Sequence, residues 1–141
     1  MTLVQRAASL EIGTGRANTI LITGAKCNES WSAASIAATY NGGSKTDWFL
    51  PSHKELDALC FAFFKGRTGD DYSADDCMGS GKSDAVTSAT DVTPGWSFAS
   101  DKYWSSSEDA ASGAWRQDFE NGYQLGISKP TTYYVRPVRA F

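Results

Sequence analysis

The carboxy-terminal stretch, residues 103–141, constrains the fold most because it carries the clearest β-strand pattern of the chain. Within it, residues 114–119 read Ala-Trp-Arg-Gln-Asp-Phe. Successive side chains of a strand point to opposite sides, so Trp115 and Phe119 share one side and Arg116 and Asp118 the other. We therefore predict that the two aromatic residues face the core. The two charged residues are predicted to face solvent.

A hairpin is predicted directly after this strand, at Asn121-Gly122, a dipeptide typical of tight turns between antiparallel strands. The following residues, 123–131, mix Tyr, Leu, Ile and Pro with Gly, Ser and Thr without a clear hydrophobic period. A strand that packs on one side would show such a period. We interpret this segment as a surface for contact with another molecule.

The remaining pattern places helices before strands. Helical spacing and glycine stops predict helices at residues 16–23, 32–40 and 52–65. Strands are predicted at residues 47–50, 102–106, 114–119, 123–127 and 132–139, and a long irregular loop at residues 66–95. This order predicts an α+β protein with one domain over residues 1–141.

The strongest local signal is the start of the third helix. Ser52 and Glu55 have the Ser-x-x-Glu spacing of a capping box. In this motif the side chain of each residue accepts a hydrogen bond from the backbone amide of the other. The apolar positions that follow recur at helical spacing and are Leu56, Leu59, Cys60 and Phe63. We predict a helix with one buried face.

Composition excludes several classes of function. The 141 residues carry a formal charge of -3 and no concentration of Lys and Arg, which argues against a nucleic-acid partner. No run approaches the roughly 20 apolar residues that span a membrane, and the amino terminus lacks a signal-peptide pattern. For action outside a cell, we expect a phage particle, an upstream segment or a partner to carry the chain there.

Residues that could perform chemistry do not form a legible site. His53 is the only histidine, and no nucleophile or orienting partner accompanies it in the pattern. Cys27, Cys60 and Cys77 lack zinc spacing, and their odd number prevents full pairing within the chain. Free thiols are the default expectation for the cysteines, and a bridge from Cys60 to Cys77 is the alternative.

Metal and nucleotide sites are also not indicated. The acidic residues of the 70–76 segment fail the calcium-loop order, so a solvated loop is favoured. Gly13-Thr14-Gly15 lacks the rest of a phosphate-loop motif. Arg136 and Arg139 are interpreted as structural. We expect no cofactor, no metal and no enzymatic activity; a hydrolase or oxidase using Cys60, Cys77 or His53 is the rival from another class.

Four phrases in register carry a family resemblance: residues 12–19, 41–52, 103–108 and 135–141. Together they resemble a bacterial and phage family of C-type-lectin-fold domains that includes the carboxy-terminal domain of a collagen-like Legionella adhesin. They look especially like the variable proteins of diversity-generating retroelements. The resemblance implies a C-type-lectin-like fold, with short helices packed on a small twisted antiparallel sheet. The calcium and sugar motifs of true C-type lectins are missing, so calcium-dependent sugar binding is not implied.

The resemblance to retroelement-diversified proteins implies a test on residue types. Mutagenesis of the adenines in A-A-pyrimidine codons reaches many residues but never Trp, Glu, Gln, Lys or Met. Within the candidate variable region, 103–141, the reachable residues that we assign to ligand binding are Asp109, Ser112, Gly113, Arg116, Asp118, Tyr123, Leu125, Gly126, Ile127, Ser128, Pro130, Thr131 and Tyr133. The interleaved residues of unreachable type are Trp104, Glu108, Trp115, Gln117, Glu120, Gln124 and Lys129.

The leading hypothesis is therefore a non-enzymatic receptor-binding module whose exposed patch, about residues 109–133, is diversified. Its expected partner is a protein or cell-surface ligand, with homo-oligomerisation or fusion to a carrier left open. The expected place of action is a phage particle or a bacterial cell surface. The alternative is an undiversified surface adhesin domain for glycans or sulfated polysaccharides, against which the patch has few positive charges, Arg116 and Lys129.

Overall fold

In the computed structural model, which describes residues 7–25, 32–65, 101–119 and 122–140, helices precede a sheet. The helices are α1 (Gly15–Gly24), α2 (Ala33–Thr39) and α3 (His53–Lys65), with a 3-10 turn at Gly42–Ser44. Strands β1 (Lys102–Ala110), β2 (Gly113–Asp118) and β3 (Gln124–Ser128) form an antiparallel sheet in the order β1-β2-β3. The α+β prediction is confirmed, and the predicted 66–95 loop lies outside the described residues.

Helix α1 begins and ends within one residue of the predicted bounds, and its fully buried side chains are polar. Its buried side chains are Asn18 and Thr19, whereas Ile20 is 61% exposed. Asn18 donates to the Ser9 carbonyl at 2.7 Å, and the Thr19 hydroxyl accepts from the Leu50 amide at 3.0 Å. Buried hydrogen bonds, together with the partly buried Ile22, therefore attach this helix to the segments beside it.

Helix α2 packs through small residues. Its N-cap, Ser32, accepts from the Ser35 amide at 3.2 Å, and Ala34 and Ala37 are buried beside Leu50. Methyl side chains allow the backbone to approach its neighbours closely, and this small cluster is completed by Ile22, Ala33 and Val135.

The start of α3 has the predicted capping box. The Ser52 hydroxyl accepts from the Glu55 amide at 3.3 Å, and the Glu55 carboxylate accepts from the Ser52 amide at 2.7 Å. The same carboxylate also accepts from the Gly13 amide at 2.7 Å and the Gly15 amide at 3.4 Å. A Cβ atom at Gly15 would overlap this carboxylate, so the contact requires glycine there. One side chain thus joins the starts of α1 and α3.

Strand β1 meets the start of α3 through an irregular stretch of serines. Pairing with β2 shifts register between Trp104 and Glu108, and the intervening Ser106 donates its amide to the Pro51 carbonyl at 2.8 Å. The Ser107 hydroxyl accepts from the His53 amide at 2.9 Å and donates to the Ser9 carbonyl at 2.6 Å. The bulge therefore turns backbone and hydroxyl groups of β1 toward the helix start.

The sheet has two chemically different faces. The face toward α3, called the helix face, contains Tyr103, Gln117 and Phe119, which are at most 4% exposed. Trp115 lies on the same face and packs edge-on against His53 at 4.8 Å between ring centroids. The opposite face, called the far face, contains Trp104, Arg116, Asp118 and Leu125, as the cross-strand pairs place them. The predicted alternation of β2 is therefore correct.

Two segments predicted to be strands do not form continuous strands. Residues 47–50 and 132–139 contribute only isolated bridges, Phe49 with Val138 and Tyr134 with Tyr103. The two segments are also joined by an ion pair between Asp47 and Arg139, whose hydrogen bond lowers the pKa of the Asp47 carboxyl. A lowered carboxyl pKa makes this pair stabilising above about pH 4, and its contribution falls in more acidic solution.

Cys60 is fully buried and disulfide-bonded. The expectation of free thiols is therefore wrong for Cys60. Helical spacing correctly placed this residue on the buried side of α3, but it carries no information about disulfide formation. Its partner lies outside the described residues, as do both Cys27 and Cys77.

None of the helices in the described ranges combines the length and apolarity needed to cross a lipid bilayer.

The Glu55 contacts predict a specific loss of stability. Glu55→Ala should lower the free energy of unfolding by about 3 kcal/mol. Hydrogen bonds to a charged acceptor contribute roughly 1.5–3 kcal/mol each, and water can replace part of those made by this half-buried carboxylate. The matched control is Lys54→Ala, which removes an exposed ion pair with Glu11 and should change stability by less than about 1 kcal/mol. Urea denaturation followed by circular dichroism measures both. Equal losses in the two variants would contradict the role given to Glu55.

The disulfide predicts the count of reactive thiols. Under denaturing conditions without reductant, one of the three cysteines should react with a thiol reagent, and all three should react after reduction. Cys60→Ala should lower the free energy of unfolding by about 2–5 kcal/mol. Peptide mapping of Cys27→Ser and Cys77→Ser variants would identify the partner, and three reactive thiols before reduction would contradict the bond.

Candidate ligand-binding surface

An exposed apolar stripe follows β3 on the far face. Tyr123 is 60% exposed and Leu125 is 49% exposed, while Ile127 is half-buried. We call these three residues the apolar stripe. Register places Leu125 beside Arg116 and Ile127 beside Ala114. The hairpin before it is held by the Asp118 amide, which donates to the Tyr123 carbonyl at 2.8 Å.

The stripe corrects the interpretation that residues 123–131 lack a period. Tyr123, Leu125 and Ile127 alternate with Gln124, Gly126 and Ser128 over the predicted strand, and Gln124 reaches the helix face, where it donates to the His53 carbonyl at 3.0 Å. The period of two was present in the sequence. It was obscured because the polar partners include glycine, and because the apolar side is the solvent side.

The structure divides the thirteen proposed binding residues by exposure. Those exposed are Asp109, Ser112, Tyr123, Leu125, Gly126, Ser128, Pro130 and Thr131. Ile127 and Tyr133 are half-buried, and Gly113, Arg116 and Asp118 are buried. Most of the proposed patch is therefore accessible, with a buried group at its centre on β2.

The prediction that Arg116 and Asp118 face solvent is wrong. They are 7% and 3% exposed although they lie on the predicted face. Tyr133, from the segment after β3, packs on Trp104 at 5.0 Å between ring centroids, and the Arg116 guanidinium lies 5.8 Å from the centre of the Tyr133 ring. The aromatic side chains therefore cover the centre of the far face.

The buried charges form a compact ion pair. The Arg116 Nη1 atom lies 3.3 Å from the Asp118 Oδ2 atom, and Lys102 Nζ approaches the same oxygen at 3.4 Å. Loss of one partner from a buried pair typically costs about 3–5 kcal/mol, since the other charge stays buried without compensation. Arg116 and Asp118 are thus structural residues and poor positions for free exchange.

Asp109 couples two glycines of the proposed patch. A Cβ atom added at either Gly113 or Gly126 would overlap the Asp109 carboxylate where it now lies. A larger residue at one of these positions therefore requires the Asp109 side chain to move. The three positions are expected to vary together.

The second positive charge of the patch is also engaged. Lys129 forms an ion pair with Glu108 and donates to the Ala111 carbonyl at 2.9 Å. Glu108 in turn accepts from the Ala7 amide at 3.1 Å. Lys129 therefore fastens the end of β3 to β1, and little positive charge is left for an anionic ligand.

The residues considered for catalysis have structural surroundings. His53 is 7% exposed, and its backbone and ring contact the sheet. Cys60 is in a disulfide and is not a thiolate nucleophile. Cys77 and the 70–76 segment lie outside the described residues. Across the described ranges, no three His, Cys, Asp or Glu side chains are grouped as a metal site would need.

One exposed aromatic residue was missed. Tyr134 is 51% exposed and packs beside Tyr103 at 5.5 Å between ring centroids. Its residue type is reachable by adenine mutagenesis, and that was the available signal.

Comparison with known proteins identifies the family. No curated protein matches this chain, and no solved structure matches it. The family model of the Lcl C-terminal domain, the carboxy-terminal domain of the Legionella collagen-like protein, matches residues 5–139. That match covers nearly the whole sequence and includes all the described elements. The chain therefore belongs to the Lcl C-terminal domain family.

Proposed function

We propose that this chain is a non-enzymatic, surface-exposed binding module that contacts a protein or another cell-surface ligand through the exposed part of residues 109–133. The observation that carries the proposal is the apolar stripe of Tyr123, Leu125 and Ile127, two of whose side chains are about half exposed or more. Exposed neighbouring apolar side chains are typical of interaction sites. Membership of a family named for an adhesin-like surface protein supports the same role.

The surrounding structure supports binding by a rigid platform. The helix face of the sheet is buried against α3, and the far face is held at its centre by Tyr133 and the Arg116–Asp118 pair. The stripe therefore lies on backbone that is already ordered, and a rigid site loses less conformational entropy on association. Tyr123 is the expected anchor because tyrosine offers a large contact area with few rotatable bonds.

Diversification of this surface is the finer part of the proposal. Every exposed residue in the described part of residues 103–141 is of a type reachable by adenine mutagenesis, including those not assigned to ligand binding. The unreachable types in the described part of the region, Trp104, Glu108, Trp115, Gln117, Gln124 and Lys129, are buried or half-buried. Substitutions at exposed positions away from caps and cores usually change stability by less than about 0.5 kcal/mol. The exposed positions described in this region therefore carry only types that mutagenesis can reach, and the types that it cannot reach lie at more buried positions. This arrangement is the one expected of a protein with a fixed core and exchangeable contact residues.

The disulfide at Cys60 supports action outside the cytosol. Stable disulfides form and persist mainly in oxidising environments such as the periplasm, the cell surface and virions. A buried bridge at α3 suits a chain that works on a bacterial or phage surface.

Diversification predicts a feature of the DNA that flanks the gene. A near-repeat of the DNA that encodes residues 103–141 should lie beside it with a reverse-transcriptase gene, differing from the coding sequence only where the repeat carries adenine. The adenine pairs should fall on exposed codons such as those of Tyr123, Leu125 and Thr131. They should spare Arg116 and Asp118, since exchange there leaves a buried charge. Sequencing the flanking DNA tests this, and a missing repeat rejects diversification while leaving the binding role open.

Affinity for heparin distinguishes a protein ligand from a sulfated polysaccharide. With Arg116 and Lys129 both ion-paired, the protein should leave a heparin column below about 0.15 M salt, where exposed charges are still incompletely screened. Lys129→Ala should not change its elution. Lys45→Ala, an exposed lysine away from the patch, is the matched control. Retention above physiological salt that Lys129→Ala alone removes would instead support the polysaccharide alternative.

A further inference from the structure

Strand β3 is an edge of the sheet within the described ranges 7–25, 32–65, 101–119 and 122–140. It pairs with β2 on one side, and no described segment pairs with its other side. The Asp118 amide donates to the Tyr123 carbonyl and the Lys129 amide to the Ser112 carbonyl, so the odd-numbered residues direct their backbone groups toward β2. In an antiparallel ladder the residues between them, Gln124 and Gly126, direct their amides and carbonyls outward.

The sequence of this edge lacks the features that usually protect an edge strand. Charged side chains, proline or a bulge normally prevent an exposed edge from pairing with another strand. Residues 123–128 read Tyr-Gln-Leu-Gly-Ile-Ser and contain no charge and no proline. At the other edge of the sheet, Trp104 and Lys102 of β1 already bond to Tyr134. The open edge ends at Ser128, whose carbonyl accepts from the Thr131 amide at 3.1 Å.

We propose that two copies of this chain pair antiparallel through β3, with Leu125 opposite Leu125 of the second copy on a two-fold axis. In that register, Gln124 of each copy lies opposite Gly126 of the other, and their outward-pointing amides and carbonyls exchange hydrogen bonds. On the far face, Tyr123 of each copy lies opposite Ile127 of the other. Three apolar cross-strand pairs result, and such pairs stabilise sheets.

Neighbouring registers fit less well. A two-fold axis at Gly126 would pair Gln124 with Ser128, whose carbonyl already accepts a hydrogen bond from the Thr131 amide. It would also place Tyr123 opposite Lys129. An axis at Gln124 would leave Ile127 without an apolar partner, since residue 121 would lie opposite it. A shift by one residue would align outward-pointing with inward-pointing backbone groups. Of these registers, only the one centred on Leu125 pairs the outward-pointing backbone groups of Gln124 and Gly126 and also places the apolar stripe opposite itself.

Pairing through the edge goes beyond the proposed function and leaves the ligand-facing surface open. Edge contact joins two sheets side by side, so the far faces continue across the axis. The two apolar stripes then form one surface with six apolar side chains. A ligand would meet both copies at once, which raises avidity without any new contact within a copy.

Cysteine crosslinking tests the register. Leu125→Cys should give a disulfide-linked dimer on a non-reducing gel, because facing residues at the axis lie within disulfide range. Ile127→Cys alone should not, since its two copies would be four residues apart, roughly 13 Å along the strands. A mixture of Tyr123→Cys and Ile127→Cys should give the mixed dimer. Equal crosslinking of Leu125→Cys and Ile127→Cys, or none in Leu125→Cys, would overturn the proposal, with wild type as the background control.

Charge exchange at the axis gives an independent test. Leu125→Lys and Leu125→Glu, each alone, should sediment as monomers because like charges face each other, whereas their mixture should sediment as a dimer. Thr132→Lys and Thr132→Glu, at an exposed position outside the stripe, are the control and should dimerise like wild type. A monomeric wild type, or a mixture that stays monomeric, would refute the pairing. Because no ligand is present, that result would leave the proposed binding role unaffected.

Discussion

The Glu55 carboxylate is the contact on which the arrangement of helices and sheet depends. It accepts from the backbone amides of Gly13, Gly15 and Ser52, and so fixes the start of α1 against the start of α3. Carboxylates are strong acceptors near a helix start because the helix dipole and the free amides there favour negative charge. The start of α3 is also the point that β1 contacts, through the Ser107 hydroxyl bound to the His53 amide. Three segments distant in sequence therefore meet around one cap.

Because of this cap, the helix face of the sheet is held in a fixed position relative to the start of α3. His53, the residue after the capping serine, packs on Trp115 of β2, and its carbonyl accepts from Gln124 of β3. All three strands are thereby linked to the start of α3. The contacts are mostly hydrogen bonds to single backbone groups, which have strict geometry, and they give the sheet a defined orientation that apolar contact alone would leave looser.

The far face shows how one surface holds both structural and exchangeable residues. At its centre, Tyr133 covers Arg116 and Trp104, and the buried Arg116–Asp118 pair makes these positions sensitive to change. Along β3, Tyr123 and Leu125 extend into solvent. The difference follows from position in the sheet. The segment that carries Tyr133 runs along the far edge of β1, whereas no strand of the described part of the chain lies beyond β3.

The sequence by itself determined the elements whose signals are local. The Ser52–Glu55 box, the helix bounds, the antiparallel pairing of β2 with β3 and the alternation of β2 depend on a few neighbouring residues, and all could be predicted, while Asn121 of the predicted turn lies outside the described residues. Exposure of the far face, the disulfide at Cys60 and the bridging role of residues 132–139 were decided by the tertiary structure. Each depends on a contact with a segment distant along the chain. Alternation therefore predicts the side to which Arg116 points, but only packing decides whether that side meets water.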